Sequence, residues 1–192
     1  EMSEDTAVVI FEPMIAEAGL LIPPDDYFHR VRDLCDKNDT LLIIDEVVTG
    51  LGRTGKFWGI EHSSGVVPDI MVSGKGLTAG MYPMAATMFT EEVADFFLTY
   101  PYCHYSSTAG SDIGCVVASA MIDIVNRPEF LESINEKGKR LADGYQRLME
   151  KHPATLESYG QIGMHTVLRL ADPSGGFRMN RYLAEEGVLD AP

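Results

Sequence analysis

The chain predicts an α/β protein, a three-layer αβα arrangement around a mostly parallel sheet, followed by the start of a small α+β unit. Three observations lead there. Short β-branched runs at residues 6–11, 41–45 and 70–73 each end at a polar or glycine-rich loop, as strands buried on both faces do. A helical stripe lies between the first two. Two longer stretches later in the chain carry apolar residues at helical spacing.

The run at 6–11 closes on Glu12-Pro13, which fits a buried strand ending in a loop. Residues 26–37 follow as a helix, with Phe28, Val31, Leu34 and Cys35 on one stripe and Asp25 or Asp26 as N-cap. With the strand at 41–45 these make one βαβ unit. A glycine-rich loop spans 50–55, another buried strand covers 70–73, and 85–89 returns as a strand after the turn at Tyr82-Pro83. In 111–125, Ile113, Val116, Val117, Ala120, Met121 and Ile124 recur at helical spacing and predict a core helix. Pro128 punctuates it, and 129–152 continues as an amphipathic helix rich in Lys-Glu pairs. Residues 163–170 read as a further strand, the first of a small domain.

Charge and cysteine usage narrow the function. Lys+Arg number 15 against Asp+Glu 29, a net charge of −14 with no basic run, which speaks against nucleic acid or an anionic membrane surface and for a small-molecule partner. Cys35, Cys103 and Cys115 are odd in number and lack metal-ligand spacing, so neither a disulfide framework nor a zinc site is expected. They read as reduced cysteines of a cytoplasmic protein. No stretch approaches the ~20 apolar residues of a membrane helix. Both ends look cut from a longer chain.

The chemistry concentrates at strand ends. The run Leu41-Leu42-Ile43-Ile44 delivers Asp45, and Ile70-Met71-Val72 leads into Ser73-Gly74-Lys75-Gly76-Leu77. Ligands of open α/β sheets bind beyond the carboxyl ends of the strands, where Glu12, Asp45 and Lys75 all fall. A lysine among glycines at such a rim can approach a flat ligand closely, and if partly desolvated it becomes a nucleophile. A phosphate-binding P-loop is the rival reading of Ser73-Gly74-Lys75. It fails because Asp69 stands at the required upstream glycine and Gly76 at the required Ser or Thr.

Four segments together carry a family resemblance: Phe11-Glu12-Pro13, the run from Ile44-Asp45-Glu46 to Gly52-Arg53-Thr54-Gly55, Pro68-Asp69-Ile70, and Ser73-Gly74-Lys75-Gly76-Leu77. They resemble the signature of class III pyridoxal-phosphate-dependent aminotransferases of fold type I, with a likeness to the ornithine, 4-aminobutyrate and ω-amino-acid enzymes. Gly160-Gln161-Ile162-Gly163-Met164 is similar to the segment that leads into that family's small C-terminal domain. The resemblance implies a fragment: residues 1–155 as part of the cofactor-binding large domain and 156–192 as the beginning of the small one.

It also implies roles. Lys75 would form a Schiff base with the cofactor's aldehyde and then act as general base and acid, and Asp45 would keep the ring nitrogen protonated. Val47, two positions on and so on the same face as Asp45, would pack against the ring, while Glu46 would serve structure. Val48 stands where many members carry a glutamine that bonds the cofactor's phenolic oxygen. Glu17, in Glu12-Pro13-Met14-Ile15-Ala16-Glu17-Ala18-Gly19, matches the glutamate that pairs with a C-terminal-domain arginine and releases it when a dicarboxylate keto acid binds. That arginine lies outside this chain. Ser107 and Thr108 match the segment sent across a homodimer interface to the neighbouring subunit's cofactor phosphate. Arg53, Trp58 and His104 read as scaffold.

The expected activity is transfer of an amino group from an amino acid or ω-amino compound to a keto acid. An aminomutase or decarboxylase of the same fold, and a cofactor-less relative serving as an interaction domain, are the alternatives.

Overall fold

A computed structural model describes residues 2–188. The first strand, β1 (Val8–Phe11), is joined through helix α1 (Tyr27–Lys37) to the parallel strand β2 (Leu41–Asp45), with Val8 opposite Leu41 and Phe11 opposite Ile44. This is the expected βαβ unit. Strand β3 (Ile70–Ser73) adds in parallel, Ile43 opposite Ile70 and Asp45 opposite Val72. The fourth, β4 (Ala86–Phe89), returns antiparallel, so the sheet reads β1-β2-β3-β4 and is parallel except at that last pair.

The core lies where α1 covers one face of β2. Phe28, Val31 and Cys35 of the helix meet Leu42 and Ile44 of the strand, with Ile60 and Val66 closing the cluster and Phe11 and Trp58 at its margin. The alternation in β2 explains the choice: Leu42 and Ile44 are fully buried, while Leu41 stays more than one-third exposed. Asp26 does stand at the N-cap of α1, but it makes no side-chain cap bond and lies instead 3.8 Å from Arg30. Asp69 ties the entry of β3 to its neighbours, accepting from Leu42 N–H at 2.7 Å and from the Arg32 guanidinium at 2.8 Å.

Helix α2 (Glu91–Thr99) is an element that the sequence reading did not anticipate. Helices α3 (Asp112–Val125) and α4 (Pro128–Lys151) match their expected spans closely. The interior of α3 corrects the expectation, however. Its buried residues are Gly114, Ala118 and Val125, whereas Ile113 and Val116 are 65% and 69% exposed. Small residues form the close contact because the helix lies against the turn after β3: a Cβ on Gly114 would come within 2.9 Å of Met84 Sδ.

The last sheet is a hairpin of β5 (Leu156–Ile162) and β6 (His165–Leu170), followed by α5 (Gly176–Glu185). Only its second strand was expected. The tight turn at Gly163-Met164 is wedged between α4 and the loop at Arg53. Met164 N–H donates to the Arg53 carbonyl at 3.0 Å, and Gly163 takes a positive φ of 54° with no space for a side chain against Thr54. On the other side, a Cβ on Gly138 of α4 would overlap the Gly163 carbonyl. No helix among the described residues is long and apolar enough to cross a membrane.

Candidate active site

The site forms at the carboxyl ends of β2 and β3. Because Asp45 pairs with Val72, its carboxylate and Lys75, three residues beyond Val72, share one rim of the sheet. After Asp45 the chain turns sharply. Val47 N–H donates to Asp45 Oδ1 at 2.9 Å, a local side-chain turn that leaves the second carboxylate oxygen for another donor. Val47 then leans over the end of β3, its two γ-carbons 3.7 Å from where a Cβ of Gly74 would lie. A side chain at 74 would thus meet Val47 at ordinary contact distance.

Glu46 holds this turn from behind. It is 1% exposed, and its carboxylate accepts from Thr49 Oγ1 at 2.6 Å, Gly59 N–H at 2.9 Å and Ile60 N–H at 2.8 Å. Burial pushes the Glu46 carboxyl above its ordinary range, against the opposing pull of those three donors. Adjacent carboxylates thus separate by face, Asp45 to the rim and Glu46 to the interior. The structural role expected for Glu46 follows from these bonds.

Lys75 opens a short 3-10 turn, Lys75–Thr78, and takes a left-handed φ of 40°. Its side chain is 61% exposed, with Nζ 3.9 Å from Glu17 Oε1. The sequence made nucleophilicity of this lysine conditional on partial desolvation, and here its side chain is exposed beside a carboxylate. A rim position leaves the amine open, and the loop after β1 brings a carboxylate to it. The far side of the turn is fixed by Thr78, which donates to the Tyr82 carbonyl, and by Tyr82, whose hydroxyl meets Ser111 Oγ at 2.9 Å at the start of α3.

Ser107 and Thr108 lie apart from this cluster. Both are exposed, between α2 and α3, and Thr108 N–H donates to Ser106 Oγ at 3.3 Å. No hydrogen bond among the described residues joins them to Asp45, Val47 or Lys75. His165 and Arg169 were not singled out from the sequence. His165 faces the charges of Arg53, Glu17 and Glu12. Burial, reinforced by Arg53, holds its imidazole below the usual histidine range, and the two carboxylates oppose that pull. Its place two residues after Gly163 in the glycine segment was the only available signal.

The class-III aminotransferase family model matches residues 1–189. The chain belongs to that family. An uncharacterized aminotransferase of Archaeoglobus fulgidus is 39% identical over 188 residues, covering 98% of this chain and 44% of the relative. Among solved structures, acetylornithine aminotransferase from Elizabethkingia anophelis is 31% identical with a TM-score of 0.85, over 95% of this chain and 45% of that one. Ornithine aminotransferase from Toxoplasma gondii ME49 is 27% identical with a TM-score of 0.90, over 98% and 44%. This class-III chain therefore spans a little under half the length of the relatives it matches.

Class-III aminotransferases depend on pyridoxal phosphate. The residues at the rim suit that cofactor chemically: an amine for its aldehyde, a carboxylate for its ring nitrogen, and an apolar side chain beside the end of β3.

Proposed function

We propose that this chain carries the catalytic centre of a pyridoxal-phosphate-dependent aminotransferase, which moves an amino group from an amino acid or ω-amino compound to a keto acid. The observation that carries the reading is the convergence of Asp45, Val47 and Lys75 on one rim of the sheet. When bound, the cofactor supplies an electron sink that weakens bonds at the substrate's amino carbon. The residues supply the rest. Lys75 Nζ would hold the cofactor's aldehyde and, once freed by the amino donor, would take up and return the proton of that carbon. The Asp45 carboxylate would keep the ring nitrogen protonated, and Val47 would pack against the ring.

Glu17 stands as the substrate gate. Here its carboxylate lies beside Lys75, within reach of whatever enters the rim. Exposure of Ser107 and Thr108 supports a homodimer in which this segment reaches the neighbouring subunit's cofactor phosphate. The acidic, cysteine-poor composition supports a cytoplasmic enzyme with small-molecule partners.

Replacing Lys75 by alanine in the intact enzyme tests the central assignment. Turnover and the covalent fixation of the cofactor to the polypeptide by borohydride are expected to vanish while the far-ultraviolet circular dichroism stays unchanged. A Lys75→Ala protein in which borohydride still fixes the cofactor covalently to the polypeptide would remove lysine 75 from the mechanism. Release of carbon dioxide, or migration of the amino group within one molecule, would replace aminotransfer by decarboxylation or aminomutation.

A further inference from the structure

The loop that carries Glu17 is a compact reversal held from outside. Ile15 and Leu21 exchange both backbone hydrogen bonds, at 3.0 and 2.9 Å, and Leu20 N–H donates to the Ala16 carbonyl at 3.3 Å. The chain reverses through Gly19 at φ 83° and Leu20 at φ 53°. A left-handed conformation is costly for leucine, so something must hold it. Leu20 is 2% exposed, and its Cδ2 lies 3.5 Å from where a Cβ of Gly160 in β5 would sit.

The second hold is Arg169 of β6. Its Nη2 donates to the Gly19 carbonyl at 2.6 Å across 150 residues of sequence, and Nη1 lies 3.5 Å from Ser158 Oγ on the partner strand. Strand alternation explains the aim. Thr166 faces α4, where its hydroxyl meets Tyr145 OH at 2.9 Å, while Val167 shares a face with Gly160 and turns toward Leu20. Arg169 falls on the same face as Val167.

We propose that Arg169 is a positioning residue for substrate selection: by clamping the Gly19 carbonyl it keeps the 15–21 reversal closed and Glu17 beside Lys75. The inference rests on the reading of Glu17 as the substrate gate. A charged carboxylate held there competes with a substrate's second carboxylate. Loosening the clamp therefore favours dicarboxylates without touching Lys75 or Asp45.

The test uses the intact, cofactor-loaded enzyme and glutarate, an unreactive dicarboxylate, with binding followed by calorimetry. Glu17→Gln is expected to lower the glutarate Kd by about fivefold or more, the low end of ordinary coupling between sites. Arg169→Met is expected to shift it the same way, and the double variant no further than Glu17→Gln alone. Hydrogen exchange at the Leu20 and Leu21 amides is expected to accelerate in Arg169→Met and to recover partly in Arg169→Lys, which restores one donor.

If Glu17→Gln leaves the glutarate Kd unchanged, the gate reading fails. If Glu17→Gln tightens glutarate but Arg169→Met does not, the gate stands and the clamp is wrong. Should Arg169→Met not fold, Arg169→Gln, polar but too short to reach the Gly19 carbonyl, carries the same comparison. Wild-type affinity and wild-type exchange in that variant would overturn the proposal.

Discussion

Glu46 offers the sharpest test of how the site is held. Its two carboxylate oxygens accept three donors, two of them the backbone N–H groups of Gly59 and Ile60 that open a 3-10 turn, Gly59–His62. Glu46→Ala strands both amides in a buried place, at about 1–3 kcal/mol each, while the Thr49 hydroxyl can rotate elsewhere. Relief from burying a charge offsets part of that. The net expected loss is about 2–5 kcal/mol.

Glu46→Gln should cost less, about 1–2 kcal/mol, because its amide oxygen can keep Thr49 and Gly59 while its NH₂ opposes only Ile60 N–H. Urea denaturation followed by circular dichroism measures both. The pH dependence adds a signed check. Because the folded carboxyl sits above its unfolded value, the native state binds more protons in that window, and wild-type stability falls as pH rises through it. Glu46→Gln lacks this slope, so its deficit relative to wild type is expected to narrow with rising pH. An alanine variant as stable as wild type, or a glutamine variant weaker than alanine, would refute the account of Glu46 as the internal brace.

Two further outcomes follow from the geometry. Gly138→Ala places a methyl group against the Gly163 carbonyl, so a loss of about 1–3 kcal/mol is expected as a lowered Tm, and an unchanged Tm would contradict the docking of the hairpin on α4. Asp45→Asn can still accept from Val47 N–H and should fold normally, yet its turnover is expected to drop by at least about a hundredfold, as removal of a preorganised electrostatic group does; wild-type turnover would exclude Asp45 from the reaction.

Local pattern made much of this legible. The β-branched runs ending at Phe11, Asp45 and Ser73 became the three parallel strands, and Phe28, Val31 and Cys35 became the helix face that buries β2, whereas Leu34 of the expected stripe and Val8 and Ile10 of β1 stay exposed. Asp45 and Lys75 could be read as rim residues because strand ends are visible in sequence. The interior partners could not. Arg169 reaches Gly19, and Asn135 reaches the Gly55 carbonyl, only after the chain has folded back on itself.

Strand β5 was missed because Leu156-Glu157-Ser158-Tyr159-Gly160-Gln161-Ile162 has no clean alternation and gains its ladder from β6 alone. Helix α2 was missed because its aromatic residues, Phe96 and Phe97, suggest strand as readily as helix. The apolar periodicity of α3 gave the helix correctly but the wrong buried face, since close approach selected Gly114 and Ala118 over the larger side chains.

The left-handed backbone at Lys75 has an evolutionary side. Any residue with a Cβ gives up roughly 1–2 kcal/mol there that glycine would recover, less about 0.4–1 kcal/mol for the freer unfolded chain. A selection for thermostability alone would thus tend to erase the amine, and on the proposed reading it is chemistry that keeps it. Stabilised variants drawn from unbiased libraries should be sequenced at position 75 before anything else is concluded from their loss of activity.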